Sequence, residues 1–252
     1  MTTVLVTGGS RGIGLGIVRS FLDAGADVVT CGRTEPTQDL GKAEFVLADV
    51  RDVSEIDALV SAVVDRYGSL DVVVNNAGGA PPVDAATASP RLHAKIIELN
   101  LLAPLHVSQR ANTVMQQQEH GGVILMIGSV SGTRPSPGTA AYGAAKAGLA
   151  NLATSLAVEW APKVRVNTVV VGPVDTELSE IHYGDEEGVR AVGRTIPLGR
   201  MATPADVAEA CRWLASPAAA YVSGSTLTVH GGGERPAFLS ASNAEQPNAE
   251  HP

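Results

Sequence analysis

Cysteine is scarce in this chain: Cys31 and Cys211 are the two among 252 residues, 180 positions apart and without metal-ligand spacing. A disulfide framework and a metal site are therefore not expected, and a reducing compartment, the cytoplasm, is the default. Charge is thin as well, 17% of residues against roughly 25% in an average soluble domain. Bases are outnumbered 18 to 26, for a net charge of −8. An acidic surface repels phosphate backbones and anionic lipid, so neither nucleic acid nor a membrane is an expected partner. Long apolar runs are missing too; Val123–Ile127 is far too short to cross a bilayer. Thr3–Thr7 already reads as a strand, which leaves no room for a signal peptide ahead of it. What is plentiful is apolar: 44% of residues are hydrophobic, enough for a sizeable core and for some outer surface buried against copies of the same chain. Glycine (27) and proline (15) stay below low-complexity levels, which excludes collagen and disorder.

Short β-branched runs recur at Val4–Thr7, Asp27–Cys31, Glu44–Ala48, Val72–Asn75, Val123–Ile127, Arg165–Val170 and Thr226–Val229. Each has little polar alternation, as expected of strands covered on both faces. Between them lie helical patterns. Ile13–Ala24 places Ile13, Ile17 and Phe21 on one stripe, and Ile56–Tyr67 does the same with Leu59, Val60 and Val63. Ala140–Trp160 reads as an alanine-rich helix closed by Pro162, and Arg91–Gln118 as a long helix bent or interrupted near Pro104. Thr203-Pro-Ala-Asp206 opens another helix, running to Leu214, with proline in its first turn. Strands alternating with helices predict an α/β fold, a parallel sheet with helices on both faces. Two stretches look irregular: Glu177–Leu198, rich in glycine and charge, reads as a mobile loop over a site, and Glu234–Pro252 as a polar, frayed tail. One domain over residues 1–233 is the expectation.

The chemistry-bearing residues cluster at strand ends, where a parallel sheet gathers its ligand crevice. The first strand runs into Thr7-Gly8-Gly9-Ser10-Arg11-Gly12-Ile13-Gly14. Glycines at a strand-to-helix turn let backbone approach a pyrophosphate, whose charge the helix N-terminus favours; tight turns also use glycine for conformation alone. After the second strand comes Arg33, where NAD-binding chains often carry an acid. A guanidinium there attracts the 2′-phosphate of NADP, with Arg11 within reach of the same side. Glu35 nearby keeps NAD as the alternative, and a solvated loop charge is the plainer reading of Arg33. Tyr142 and Lys146 are four apart on one helix and share a face. An ammonium beside a phenol favours the phenolate and moves its pKa from roughly 10 toward neutrality, giving a group able to donate a proton to a carbonyl or take one from an alcohol. Ser129 precedes Tyr142 by thirteen residues and could equally be a turn cap, as could Ser131. Asn100, an amide among apolar helix residues, needs buried partners.

These motifs, from Thr3 to about Gly233, resemble the short-chain dehydrogenase/reductase family. Thr7-Gly-Gly-Ser-Arg-Gly-Ile-Gly14 is similar to its cofactor loop, Asn75-Asn-Ala-Gly78 to its sheet-stabilising motif, and Ser129 with Tyr142-Gly-Ala-Ala-Lys146 to its catalytic signature. The resemblance implies a seven-stranded Rossmann sheet ordered 3-2-1-4-5-6-7, and an NAD(P)(H)-dependent interconversion of a ketone and a secondary alcohol. It assigns Tyr142 as acid/base, Lys146 to the tyrosine pKa and the nicotinamide ribose, Ser129 to the substrate carbonyl, and Asn100 to a water linking Lys146 to solvent. For the cofactor it implies Gly8, Ser10, Arg11, Gly12, Ile13, Gly14 and Arg33, then Asp49 and Val50 at the adenine. Asn76, Ala77 and Gly78 follow along its length, with Gly172, Val174 and Thr176 after the sixth strand, Thr176 at the carboxamide. It also implies a homo-oligomer, tetramer or dimer, built through the two long helices.

The chain departs from the family pattern at Val171-Gly172, where Pro-Gly is usual, and at His230, where an acid usually precedes the last glycines. Ile196-Pro-Leu-Gly-Arg-Met-Ala-Thr-Pro-Ala-Asp206 is similar to 3-oxoacyl-thioester reductases, while Gly138–Asn167 and His230-Gly-Gly-Gly233 are similar to steroid-degrading members. Substrate contacts are expected from Gly79–Thr87, Thr133–Gly138 and Thr176–Thr195. Two readings from other classes compete. A catalytically silent NADP-binding sensor would commonly lose the tyrosine or lysine, and both are present. A methyltransferase-type fold leaves Ser129, Tyr142 and Lys146 unexplained.

Overall fold

The computed structural model describes residues 2–241. In chain order the elements are β1 (Thr3–Thr7), α1 (Gly12–Asp23), β2 (Asp27–Gly32), β3 (Glu44–Leu47), α2 (Val53–Tyr67), β4 (Val72–Asn75), α3 (Pro90–Ile97), α4 (Ala103–Met115), β5 (Gly122–Ser129), α5 (Ala140–Glu159), β6 (Val164–Val171), α6 (Ser179–Tyr183), α7 (Glu186–Thr195), α8 (Pro204–Ala215), β7 (Thr226–Val229) and α9 (Ala237–Ala241). The seven strands form one sheet in the order β3-β2-β1-β4-β5-β6-β7, parallel throughout. That is the expected topology, with each expected strand found to within one or two residues at its ends.

Alternate strand residues serve two separate cores, because side chains in a strand point to opposite faces. Leu5, Val73, Ile124 and Val166 pack with α2, α4 and α5. Val4, Val6, Val74, Leu125 and Val169 pack with α1 and α8. Local chemistry sets the helix ends. Asp52 accepts N–H bonds from Ser54 and Glu55 and starts α2 three residues earlier than its apolar stripe suggests. Thr203 and Asp206 form a reciprocal capping box at the head of α8.

Two segments differ from expectation. The long helix is interrupted by a π-helical turn, Glu98–Leu102, between α3 and α4. Pro104 has no N–H to give the Asn100 carbonyl four residues earlier, and the bonding slips by one residue: the Ala103 N–H reaches Glu98 instead. The stretch Glu177–Leu198 is not an irregular loop but holds α6 and α7. Asp185 caps α7, and Arg190 and Arg194 pair with Glu186 and Glu187 along its exposed side. In the C-terminal stretch, Glu234 pairs with Arg134 and α9 follows; the remainder of the expected tail, 242–252, lies outside the described residues. Among the described residues no helix is long and apolar enough to cross a membrane, and none of their His, Cys, Asp and Glu side chains gather in threes or more to hold a metal ion.

Candidate active site

A cleft of about 830 Å³ opens at the C-terminal ends of β1, β2, β4, β5 and β6, the position a parallel sheet reserves for ligands. Its volume lies in the range of small-molecule and cofactor pockets, roughly 300–1,000 Å³.

The β1–α1 turn forms one wall. Bonds pin it from three sides: the Gly8 N–H donates to the Cys31 carbonyl at 2.9 Å, the Gly9 N–H to Thr30 Oγ1 at 2.8 Å, and Asn76 Nδ2 to the Thr7 and Gly8 carbonyls at 3.0 Å each. Thr7 Oγ1 accepts the Asn76 and Ala77 N–H groups, joining the ends of β1 and β4. Glycine is required here by space and by conformation. Gly8 and Gly12 have φ of 66° and 52°, and a Cβ on Gly14 would lie 2.3 Å from the Gly8 carbonyl oxygen. Arg11 precedes α1 in extended conformation and its side chain makes no cap bond; of the first-turn N–H groups, that of Gly12 is taken by the Glu177 carboxylate from across the cleft. A backbone cradle at a helix N-terminus, flanked by the exposed Arg11 and Arg33, suits an anionic pyrophosphate and its ribose. The residues present fit a dinucleotide.

Farther along, Asp49 and Val50 line the cleft. The Asp49 carboxylate accepts the Arg51 Nε–H at 2.9 Å, and this guanidinium holds its pKa below the ordinary carboxylate value. Asn76, Ala77, Gly78, Gly172 and Thr176 also line it, beside Ser10 and Ile13. Val174 does not; it bridges to Ala202, and its carbonyl accepts the Ser179 hydroxyl.

At the inner end, Ser129 at the close of β5 and Tyr142 and Lys146 on α5 face the same space. Lys146 is 4% exposed. Its ammonium donates to the Ile127 carbonyl at 2.7 Å and lies 5.7 Å from the centroid of the Tyr142 ring. Burial lowers its pKa from 10.5 to about 8. For Tyr142 the structure gives the direction opposite to that argued from spacing. Burial raises the phenol above its ordinary value, and the Ser129 hydroxyl, its polar neighbour, pulls it partly back. The lysine sits under the ring rather than against the phenolic oxygen, so desolvation dominates.

Asn100 stands behind this trio rather than in the cleft. Its Oδ1 accepts the Gly79 N–H at 2.8 Å, and its Nδ2 donates to the Gly79 and Ile96 carbonyls at 2.9 Å each. A Cβ on Gly78 would come within 2.7 Å of Asn100 Oδ1 and 3.4 Å of Lys146 Nζ. Asn100, Gly78 and Lys146 therefore meet at one point, with the π turn aiming the amide there. Sequence reasoning overlooked Leu99, Thr34 and Pro36, which also line the cleft; Leu178, which lines it too, and Glu177 fall inside the expected substrate stretch Thr176–Thr195, but the bond from the Gly12 N–H to Glu177 Oε1 at 2.9 Å was not foreseen. Leu99 neighbours Asn100, a usable signal; Glu177 reads locally as a solvated acid.

Residues 8–234 match the family described as enoyl-(acyl carrier protein) reductase. The chain is 36% identical over 245 residues to 3β-hydroxysteroid dehydrogenase 1 of Eggerthella lenta, covering 91% of this chain and 92% of that protein. It is 35% identical over 237 residues to a 3-oxoacyl-[acyl-carrier-protein] reductase of Vibrio cholerae, covering 90% and 95%. Among solved structures, a variant of actinorhodin polyketide ketoreductase with NADPH superposes with a TM-score of 0.86 at 34% identity, covering 92% of this chain and 96% of that one.

Proposed function

Because this chain belongs to the short-chain dehydrogenase/reductase family of NAD(P)-dependent oxidoreductases, we propose that it interconverts a ketone and a secondary alcohol with Tyr142 as the proton-transfer group. The observation that carries this reading is the convergence of Ser129, Tyr142 and Lys146 on the inner end of a glycine-walled cleft. The dinucleotide, when bound, contributes the hydride exchanged with the substrate carbon. In ketone reduction the Tyr142 phenol gives its proton to the substrate oxygen as charge develops there, and the Ser129 hydroxyl donates a second hydrogen bond to the same atom. A phenol raised above its ordinary pKa stays protonated at neutral pH, the state a proton donor needs. Lys146 supplies positive charge beneath the ring and reaches toward the ribose, while Asn100 buttresses Gly78–Gly79 beside it and supports the water path to Lys146.

NADP is the preferred cofactor in this reading, supported by Arg11 and Arg33 lining the cleft beside the glycine turn, and NAD is the alternative because Glu35 lines it too. Asp49 and Val50 take the adenine. Asn76, Ala77, Gly78, Gly172 and Thr176, which line the cleft, follow the nicotinamide half. The substrate is a bulky apolar ketone such as a 3-oxoacyl thioester or a steroid-ring ketone, supported by what the relatives are named for. Residues 1–233 act as one catalytic unit in the cytoplasm. A dimer or tetramer assembles through α4 and α5, where Val158 is 81% exposed.

Mixing the full chain with NADPH and a panel of ketosteroids, oxoacyl-CoA and small ketones, and following cofactor absorbance, tests this. Turnover of a bulky apolar ketone is expected. Turnover confined to small polar ketones or sugars would defeat the substrate assignment, and NADPH binding without any turnover would favour a silent sensor.

A further inference from the structure

Glu177 lies 165 positions from Gly12 in sequence, yet its carboxylate accepts the Gly12 N–H at 2.9 Å. Thr176 and Leu178, on either side of it, line the cleft, whereas Glu177 stays outside on the exposed rim. The bond therefore spans the mouth of the cleft without filling it. Thr176 is close as well: a Cβ on Gly12 would sit 3.6 Å from its Cγ2, ordinary contact distance. The segment behind Glu177 is shaped for the reach. The Thr176 N–H donates to Ser179 Oγ at 2.8 Å, the Leu178 N–H to Thr176 Oγ1 at 3.2 Å, and Ser179 is 3% exposed. These bonds form a compact turn anchored in the protein with the carboxylate at its outer edge. At the other end, α1 has no side-chain cap of its own, so an acid from across the cleft meets the positive end of a helix.

We propose that Glu177 is a positioning residue for the cofactor: it clasps the 174–179 turn to the glycine loop and so closes the cleft over a bound dinucleotide. The inference rests on the cofactor reading above and adds to it a residue that controls retention rather than chemistry. Cofactor release requires the clasp to open, since Thr176 and Leu178 move away from the cleft only if the Gly12 bond breaks. The glutamine variant separates the hydrogen bond from the charge, because its carbonyl oxygen can still accept the Gly12 N–H.

The test is stopped-flow release of NADPH from the full-length chain, followed by cofactor fluorescence, in wild type, Glu177→Ala and Glu177→Gln. The alanine variant should release NADPH roughly fivefold faster, as loss of one partly solvated charged hydrogen bond implies. Its KM for NADPH should rise in proportion, with the single-turnover rate of hydride transfer unchanged. Glutamine should restore release to within about twofold of wild type. Tighter NADPH binding in both variants would overturn the proposal, by showing that the carboxylate competes with the pyrophosphate for the helix end. Unchanged release in the alanine variant would overturn it as well. No NADPH binding by the wild-type chain would sink the cofactor reading itself, a separate failure seen before any variant is made.

Discussion

The glycine-loop wall and floor of the cleft are held by buried or half-buried bonds: the Gly9 N–H to Thr30, the Asn76 and Ala77 N–H groups to Thr7, and the Lys146 ammonium on α5 to the Ile127 carbonyl. The opposite wall, β6 onward through α6 and α7, is held at its rim by exposed contacts: Glu177 on Gly12, and Arg190 and Arg194 on Glu186 and Glu187. Buried bonds to backbone fix geometry, because breaking one strands a polar group away from water. Exposed ion pairs contribute about 0–1 kcal/mol each and exchange readily with solvent. Ser129 thus sits at the end of β5, with Tyr142 and Lys146 on α5 packed against it, while the opposite rim is held by contacts that break at little cost.

Substitutions on the two walls should separate accordingly. On the buried side, Tyr142→Phe should lower the rate of ketone reduction by roughly 10³-fold, the scale of lost acid catalysis, with NADPH affinity by fluorescence titration nearly unchanged. Gly14→Ala places a methyl group 2.3 Å from the Gly8 carbonyl oxygen. It should weaken NADPH binding by about 10²-fold or more by forcing the cradle apart, as read in the same titration. Arg33→Asp should move the NADPH-to-NADH ratio of kcat/KM toward NADH by about tenfold, the loss of one charge-assisted phosphate contact. On the exposed wall, Arg194→Ala should shift stability by no more than about 0.5 kcal/mol and leave cofactor affinity alone, as measured by urea unfolding. A large loss at Arg194 or a small one at Gly14 would erase the contrast.

The sheet side was readable in the sequence for a physical reason. Strands buried on both faces must be apolar throughout, glycine is obligatory where backbone packs on backbone, and residues four apart on a helix must share a face. The parallel α/β sheet, the glycine turn and the shared face of Tyr142 and Lys146 follow from such local rules, whereas the strand order followed from the family resemblance. The other wall escaped them. In α7 the inward face is short, Gly188, Val189, Val192 and Gly193, and its glycines disguise it as a loop. The π turn was visible only as Pro104, because inserting one residue in a turn barely alters the spacing of Ile96, Leu99 and Leu101. Glu177 had no local signal, since its partner lies 165 positions away. The Tyr142 pKa was misjudged because spacing reveals a neighbouring charge but not the depth of burial that outweighs it.

The most direct test of the buried floor is the pH dependence of kcat/KM for ketone reduction, which reports the free enzyme. Lys146 loses its proton near pH 8, so reduction should fall as pH rises through about 8 in wild type, and the fall should move upward in Lys146→Arg, whose guanidinium stays charged. A flat wild-type profile through that range, or the same fall persisting in the arginine variant, would contradict the assignment of Lys146 as the charge beneath Tyr142.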